Sequence, residues 1–262
     1  MHNIEYSGPS MTLSEEIDQM KYRQEGETFT DKIKRIARAL CDGQEHRYSL
    51  EDILGNMRFL PAGRVQSAIG SNRITTAYNC FVSGDIEDSM NSIMEKASEA
   101  AETMRRGGGI GYDFSKIRPR GDRIKSLDSQ ASGPVSFMGI FDSVCQTIAS
   151  SGHRRGAQMG VLRVDHPDIE EFVTAKRNSD KLTGFNISVG ITDEFMEALA
   201  NDSDDSFALC YDGIHHKTVS AKELWDKIML STWDWAEPGV LFIDRITELN
   251  NLFYCEEIRA TN

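Results

Sequence analysis

"RRGGGIGYDFSKIRPRG" (Arg105–Gly121) places three consecutive glycines, a fourth two residues later and five basic side chains in one short stretch. It reads as a dinucleotide-binding turn, a nucleotide cradle of another kind, or a tight bend. A Rossmann fingerprint needs Gly-x-Gly-x-x-Gly after a strand and before a helix. Here the third position is Tyr112, and the order is reversed: a helical pattern enters the glycines and a strand pattern leaves them. No Gly-Lys-Ser/Thr follows, so a Walker loop is excluded as well. What remains is a helix ending on a left-handed Gly107, followed by strand backbone bare enough for a ligand to approach closely.

Outward from this stretch, helical and strand periods alternate. "DSMNSIMEKASEAAETMRRGG" sets Met90, Ile93, Met94, Ala97, Ala101 and Met104 at helical spacing, and "SGPVSFMGIFDSVCQTIASSG" does the same for Phe137, Ile140, Phe141, Val144, Cys145 and Ile148. "IGYDFS", "AQMGVLRV" and "FNISVGI" read as mostly buried strands. Between the last two lies the helix "HPDIEEFVTAKR", and "SAKELWDKIMLSTWDWA" precedes "PGVLFIDRI". The closing "EEIRATN" reads as a last, edge strand. Before residue 60 the pattern is helical throughout: Leu13–Lys21, a helix capped by Thr30 and ended by Gly43, and one capped by Ser49. These patterns predict an α/β fold, with a helical N-terminal region over 1–60 and an α/β domain over 61–262.

Composition narrows the function. The chain has 262 residues and a formal net charge of −12, from 29 basic and 41 acidic side chains. A duplex nucleic-acid binder shows the opposite balance, because it must replace phosphate counterions. Local basic clusters (Arg105–Arg106, Lys116 to Lys125, Arg154–Arg155) on an acidic background point instead to small phosphorylated ligands. No apolar run is long enough to span a bilayer, and the N-terminus lacks a signal-peptide pattern, so a cytoplasmic protein is predicted. Five cysteines without a Cys-x-x-Cys pair argue against a zinc site or a disulfide framework. "SSGHRRGAQMG" sets two arginine forks between glycines in a helix-to-strand loop. It suits phosphate oxygens and equally a basic helix end.

In their order, "FLPAGR", "NCFVSG", "DSMNSI", "GGGIGYDFSKIRPRG", "ASGPVSFM", "RRGAQMGVLRVDHPDIEEF", "FNISV", "EPGVLFIDR" and the terminal "ATN" resemble the large, catalytic subunit of ribonucleotide reductase from about residue 15 to 262. "FLPAGR" and "RRGAQMG" are most similar to the adenosylcobalamin-dependent, class II branch. Class I, with a separate radical-generating subunit, is the alternative. The resemblance implies the first half of a ten-stranded α/β barrel and thiyl-radical reduction of a ribonucleotide. A cysteine pair becomes a disulfide, which a thioredoxin- or glutaredoxin-type protein reduces.

Residue by residue, Cys80 matches the first member of the reducing pair, and Asn262 the Asn of an Asn-x-Cys-x-Glu radical motif. Ala62 (through its backbone), Asn79, Gly108, Gly109, Arg154 and Arg155 match substrate-binding positions. Asp88, Ser89, Met90, Arg118 and Lys125 match the site for a deoxynucleoside triphosphate effector. The resemblance further implies a homodimer when complete. It also implies no ATP-binding cone before "KYRQEG" and a partner in the missing C-terminal half, which carries the radical cysteine. Alone, such a half-barrel is expected to associate and to be inactive. A nucleotide-binding module that never regains catalysis is the rival reading.

Overall fold

The computed structural model describes residues 5–124, 127–148, 157–177, 181–201 and 203–262. The chain divides into two compact units between Asn79 and Cys80.

The first unit is helical: α1 (Thr12–Lys21), α2 (Phe29–Leu40), α3 (Gln44–Gly55) and α4 (Gly63–Ala68). The cap of α2 is Thr28, not Thr30: its hydroxyl accepts from the Asp31 amide and the Asp31 carboxylate accepts in return. Thr30 is buried instead, and its Oγ1 accepts from the Tyr6 amide at 2.9 Å. Helix α3 begins at Gln44, so Ser49 lies inside it rather than at its cap. Phe29, Ile33, Ile36 and Leu54 form a small core. Beside them lies a buried ion network. Asp18 receives Lys32 and Arg23, and Lys32 also donates to Gln66 Oε1 at 3.0 Å.

The second unit runs β1 (Cys80–Val82), α5 (Met90–Arg105), β2 (Gly109–Asp113), β3 (Arg123–Ile124), β4 (Ser129–Gln130), α6 (Pro134–Thr147), β5 (Gln158–Arg163), α7 (Ile169–Thr174), β6 (Phe185–Ile191), α8 (Asp193–Ala200), β7 (Ser206–Tyr211), β8 (Ile214–Ser220), α9 (Ala221–Trp235), β9 (Gly239–Phe242) and α10 (Ile243–Glu248). Five strands form one parallel sheet in the order β1-β2-β5-β6-β9. Spatial order follows chain order with no reversal. A doubly wound sheet has a reversal and a barrel wall has none, so this is barrel-type α/β. The strands β7 and β8 form a separate antiparallel hairpin turning on Asp212–Gly213, both with positive φ (49° and 72°), as an Asp-Gly two-residue turn requires.

The core lies between the helices and one face of this sheet, with Tyr112, Phe114, Phe141 and Phe185 at its centre. The Tyr112 and Phe141 rings meet edge-on at 4.8 Å, and Phe114 meets Phe141 at 5.4 Å. Such pairs contribute about 0.5–1.5 kcal/mol each beyond area burial. On α5, Ile93, Ala97, Ala100 and Met104 are buried, while Met90 and Met94 are exposed. The helix therefore presents a narrower apolar face than its spacing suggests. The segment "EEIRATN" is not a strand. The sheet ends at β9, and residues 256–262 have no regular structure.

Candidate functional site

Side-chain alternation gives the parallel sheet two unlike faces. Phe81, Ile110, Tyr112, Leu162, Phe185, Ile187 and Val189 pack on the helix side. On the other face of β1 and β2 lie Cys80, Val82, Gly109 and Gly111, with Cys80 opposite Gly109 and Val82 opposite Gly111. Cys80 is a free, exposed thiol at the N-terminal end of its strand.

The glycine run has a separate cause at each position. Gly107 (φ 89°) ends α5 in a Schellman motif, its amide bonded to Met104 O and that of Gly108 to Thr103 O. A Cβ on Gly108 would stand 2.7 Å from the Phe81 ring. A Cβ on Gly109 would stand 2.7 Å from Asn262 Oδ1 and 3.1 Å from the Ala157 carbonyl, and one on Gly111 would overlap the Thr261 carbonyl. The bare face of β2 is therefore the bed on which Ala260–Asn262 lies, with Ala260 itself buried. Here the close approach to backbone is made by the chain's own segment, which brings Asn262 beside the partner residue of Cys80. Gly111→Ala should lift Ala260–Asn262 from the strand at a cost of about 1–3 kcal/mol. Tryptic cleavage after Arg259 should accelerate accordingly. An unchanged cleavage rate would show that the strand tolerates a side chain there.

Asp88 and Arg118 are brought together. Arg118 Nε donates to Asp88 Oδ2 at 2.5 Å, and its backbone amide to Oδ1 at 3.2 Å. The cap of α5 is Ser89, whose Oγ accepts from Ser92 N at 3.2 Å, which leaves Asp88 free for the arginine. Met90 follows as the first, exposed residue of the helix. The basic run is matched by carboxylates: Lys116 meets Asp85 and Glu87, and Arg120 meets Glu171. These bonds hold the Lys116 pKa above its ordinary value.

A cleft of about 610 Å³ opens beside Asp88, lined also by Glu87, Lys116, Arg163, His166 and Tyr211. The Tyr211 hydroxyl donates to the Lys116 carbonyl at 2.7 Å, and burial, then the Asp88 charge, pushes its pKa up to about 12. His166 is pinned in its neutral form. Its Nδ1 accepts from the Asp168 amide at 3.0 Å, Nε2–H faces the Ile117 carbonyl at 2.9 Å, and burial lowers its pKa. Tyr211 comes from the β7–β8 hairpin, which the strand reading missed, although "YDGI" carries the turn signal.

Ala62 and Asn79 belong to the first unit. Ala62 is the residue before α4, its carbonyl accepting from Gln66 N at 3.2 Å, and Asn79 is exposed. Lys125, Arg154 and Arg155 lie outside the described residues. Among the described residues no group of three or more His, Cys, Asp or Glu could hold a metal ion, and no helix is long and apolar enough to cross a membrane.

Residues 78–262 match the family model of the ribonucleotide reductase barrel domain. The chain is 38% identical over 213 residues to a vitamin B12-dependent ribonucleoside-diphosphate reductase of Thermoplasma acidophilum, covering 81% of this chain and 28% of that protein. A Mycobacterium tuberculosis protein of the same description is 41% identical over 211 residues, covering 80% and 30%. Among solved structures, the class Id ribonucleotide reductase alpha subunit of Actinobacillus ureae superposes with a TM-score of 0.72 at 23% identity, over 89% of this chain and 40% of that one. The chain thus spans less than a third of the length of these two curated relatives. A parallel sheet in chain order, a thiol at the head of its first strand and a family match across the whole second unit agree: this chain belongs to the ribonucleotide reductase barrel-domain family.

Proposed function

We propose that these residues form the N-terminal part of the catalytic subunit of a ribonucleotide reductase of the cobalamin-dependent class. The remainder of the barrel completes the subunit. The observation that carries the reading is the exposed Cys80 thiol on the open face of β1, opposite Gly109, the glycine that Asn262 Oδ1 approaches. Cys80 gives up one electron and one proton, and a second cysteine of the complete subunit gives up another of each. Together they form a disulfide while the ribose 2′-hydroxyl leaves as water. A thioredoxin- or glutaredoxin-type dithiol then restores both thiols. Gly108, Gly109 and Asn262 frame the ribonucleotide.

The relatives' description supports adenosylcobalamin as the source of the radical. The Asp88 cleft, lined by charged side chains, does not fit its largely apolar ring system. The cobalamin is held elsewhere in the subunit. Reduction of a ribonucleotide by the complete subunit only when adenosylcobalamin is added is the expected result. Reduction that needs a second, radical-generating protein instead would replace this reading by class I. Failure under both conditions would overturn it.

Asp88, Ser89, Met90, Arg118 and Lys125 form the deoxynucleoside triphosphate effector site, at the interface of a homodimer. Asp88→Ala and Arg118→Ala should each weaken effector binding about 10- to 150-fold, since a charged hydrogen bond contributes about 1.5–3 kcal/mol. Because the two side chains bond each other, losing either also frees the other to move. The double variant should therefore cost less than the sum of the singles. Calorimetry giving wild-type affinity in both single variants would remove the pair from the effector site.

A further inference from the structure

On the helix side of the sheet, beside Ile110, one buried polar group is unexplained by core packing. Gln158, the first residue of β5, is 1% exposed among aromatic and aliphatic side chains. Its Oε1 accepts from the Tyr112 hydroxyl at 2.9 Å, and its Nε2 donates to the Phe141 carbonyl in α6 at 3.1 Å. Its amide reaches the Gly184 carbonyl at 3.3 Å. A leucine would fill this space without needing partners. An amide finds these partners, and the Cys145 thiol of α6 that it also bonds, at only one height of β5 against α6, so the set fixes a register.

What that register controls lies one residue earlier, in the ladder to β2. The Ala157 carbonyl accepts from Ile110 N at 3.0 Å and stands 3.1 Å from the point where a Gly109 Cβ would be, beside Asn262 Oδ1. The start of α6 is tied to the Asp88 region. Arg120 donates to Ser136 in the first turn of α6 at 3.1 Å, and two residues back Arg118 pairs with Asp88. The stretch of α6 between these contacts, Ser136 to Phe141, is packed helix and moves as one body.

We propose that Gln158 is a positioning residue. It hands the position of α6 to the Ala157 carbonyl, and so sets how a ribonucleotide seats against Gly109. This rests on the assignment of that end of the sheet to nucleotide binding. The fixed points are the Tyr112 hydroxyl on β2 and the Phe141 carbonyl on α6, and Gln158 spans them.

The experiment compares Tyr112→Phe, Gln158→Leu and the double variant Y112F/Q158L with the wild-type chain. Amide hydrogen exchange at Ile110 reports the Ala157 contact. Phe114 and Val164, whose amides bond Val161 and Gly190 carbonyls, serve as references in the same sheet. Exchange at Ile110 should rise about tenfold or more in both single variants, the cost of leaving a buried partner unmade, with the references unchanged. The double variant pairs an apolar side chain with an apolar one. It should recover the thermal midpoint without recovering protection at Ile110. Uniform acceleration across the three amides, or none at Ile110, would overturn the proposal.

In the complete subunit the same variants should raise KM for the ribonucleotide several-fold with kcat little changed. Recovery of KM together with the thermal midpoint in the double variant would reduce Gln158 to a packing role. If the wild-type subunit reduces no ribonucleotide, the assigned function fails, while the exchange result still decides whether Gln158 sets the Ala157 carbonyl.

Discussion

Replacing Cys80 by serine in the complete subunit should abolish multiple turnover with a dithiol reductant, by more than about a thousandfold, as removal of a residue acting directly in the chemistry does. Serine preserves the size of the side chain and its place opposite Gly109, so the strand and its register should survive. It cannot form a disulfide, so the electron pair for loss of the 2′-hydroxyl has no source. The exposure of Cys80 separates it from Cys145, which packs into the core and whose thiol pKa is pushed up by burial. Buried thiols of that kind are inert. Cys255, also exposed but outside the sheet, provides the control, and Cys255→Ser should turn over normally. Effector affinity should be unchanged in Cys80→Ser, because Asp88 and Arg118 are bound to each other and not to the thiol. Wild-type turnover in Cys80→Ser would take this thiol out of the reaction altogether.

The parts of this architecture that the sequence makes legible are those set by period and by short-range chemistry. β2, β5 and β6 read as strands because both of their faces are covered or crowded, which leaves runs such as "GVLRV" and "FNISVGI" nearly free of charge. Gly107 reads as a helix end because only a left-handed residue closes the Schellman motif there. The rest depends on distant partners. Thr28 and Thr30 have similar local surroundings. Thr28 becomes the cap because Asp31 stands three residues on, and Thr30 is drawn inward by the Tyr6 amide. "EEIRATN" has strand-like residues but lies across β2 rather than beside it, so no neighbour offers it a ladder. Gly109 and Gly111 announce a close approach without saying what approaches. The answer, Thr261 and Asn262, is some 150 residues away in the chain. The Asp88–Arg118 bond is likewise invisible to local reading, because a carboxylate before a helix suggests a cap until Ser89 is seen to fill that place.

Asp18→Ala should destabilise the first unit by about 3–5 kcal/mol, the cost of stranding a buried charge. Lys32 is 2% exposed, and its ammonium is held by Asp18, Gln66 Oε1 and the face of the Phe29 ring at 4.6 Å. Burial pushes its pKa down, and the bond to Asp18 is the chief influence holding it up. Without Asp18, the lysine's folded-state pKa falls further below its value in the unfolded chain. A group depressed in this way contributes stability that is present above the unfolded pKa and lost as pH falls through the folded pKa. The variant should therefore be less stable at neutral pH than in alkali, regaining stability as pH rises toward about 10.4, the ordinary lysine value. Asp18→Leu combined with Lys32→Met removes both charges and should recover most of the loss, since apolar replacement of a buried pair is often neutral. Arg23 keeps Glu15 at 2.7 Å in either variant, so its charge is not stranded. All three tryptophans (Trp225, Trp233 and Trp235) lie in the second unit, so their fluorescence does not report on this one. Amide exchange at Ile36 and Ala37 in α2 does, because both are buried against the core that Lys32 borders. Equal protection of those amides in Asp18→Ala and wild type at neutral pH would mean that water or a shifted side chain reaches Lys32. The network would then be a surface pair in energetic terms. A double variant no more stable than Asp18→Ala would instead locate the loss in the packing around α1 and α2 rather than in the charge.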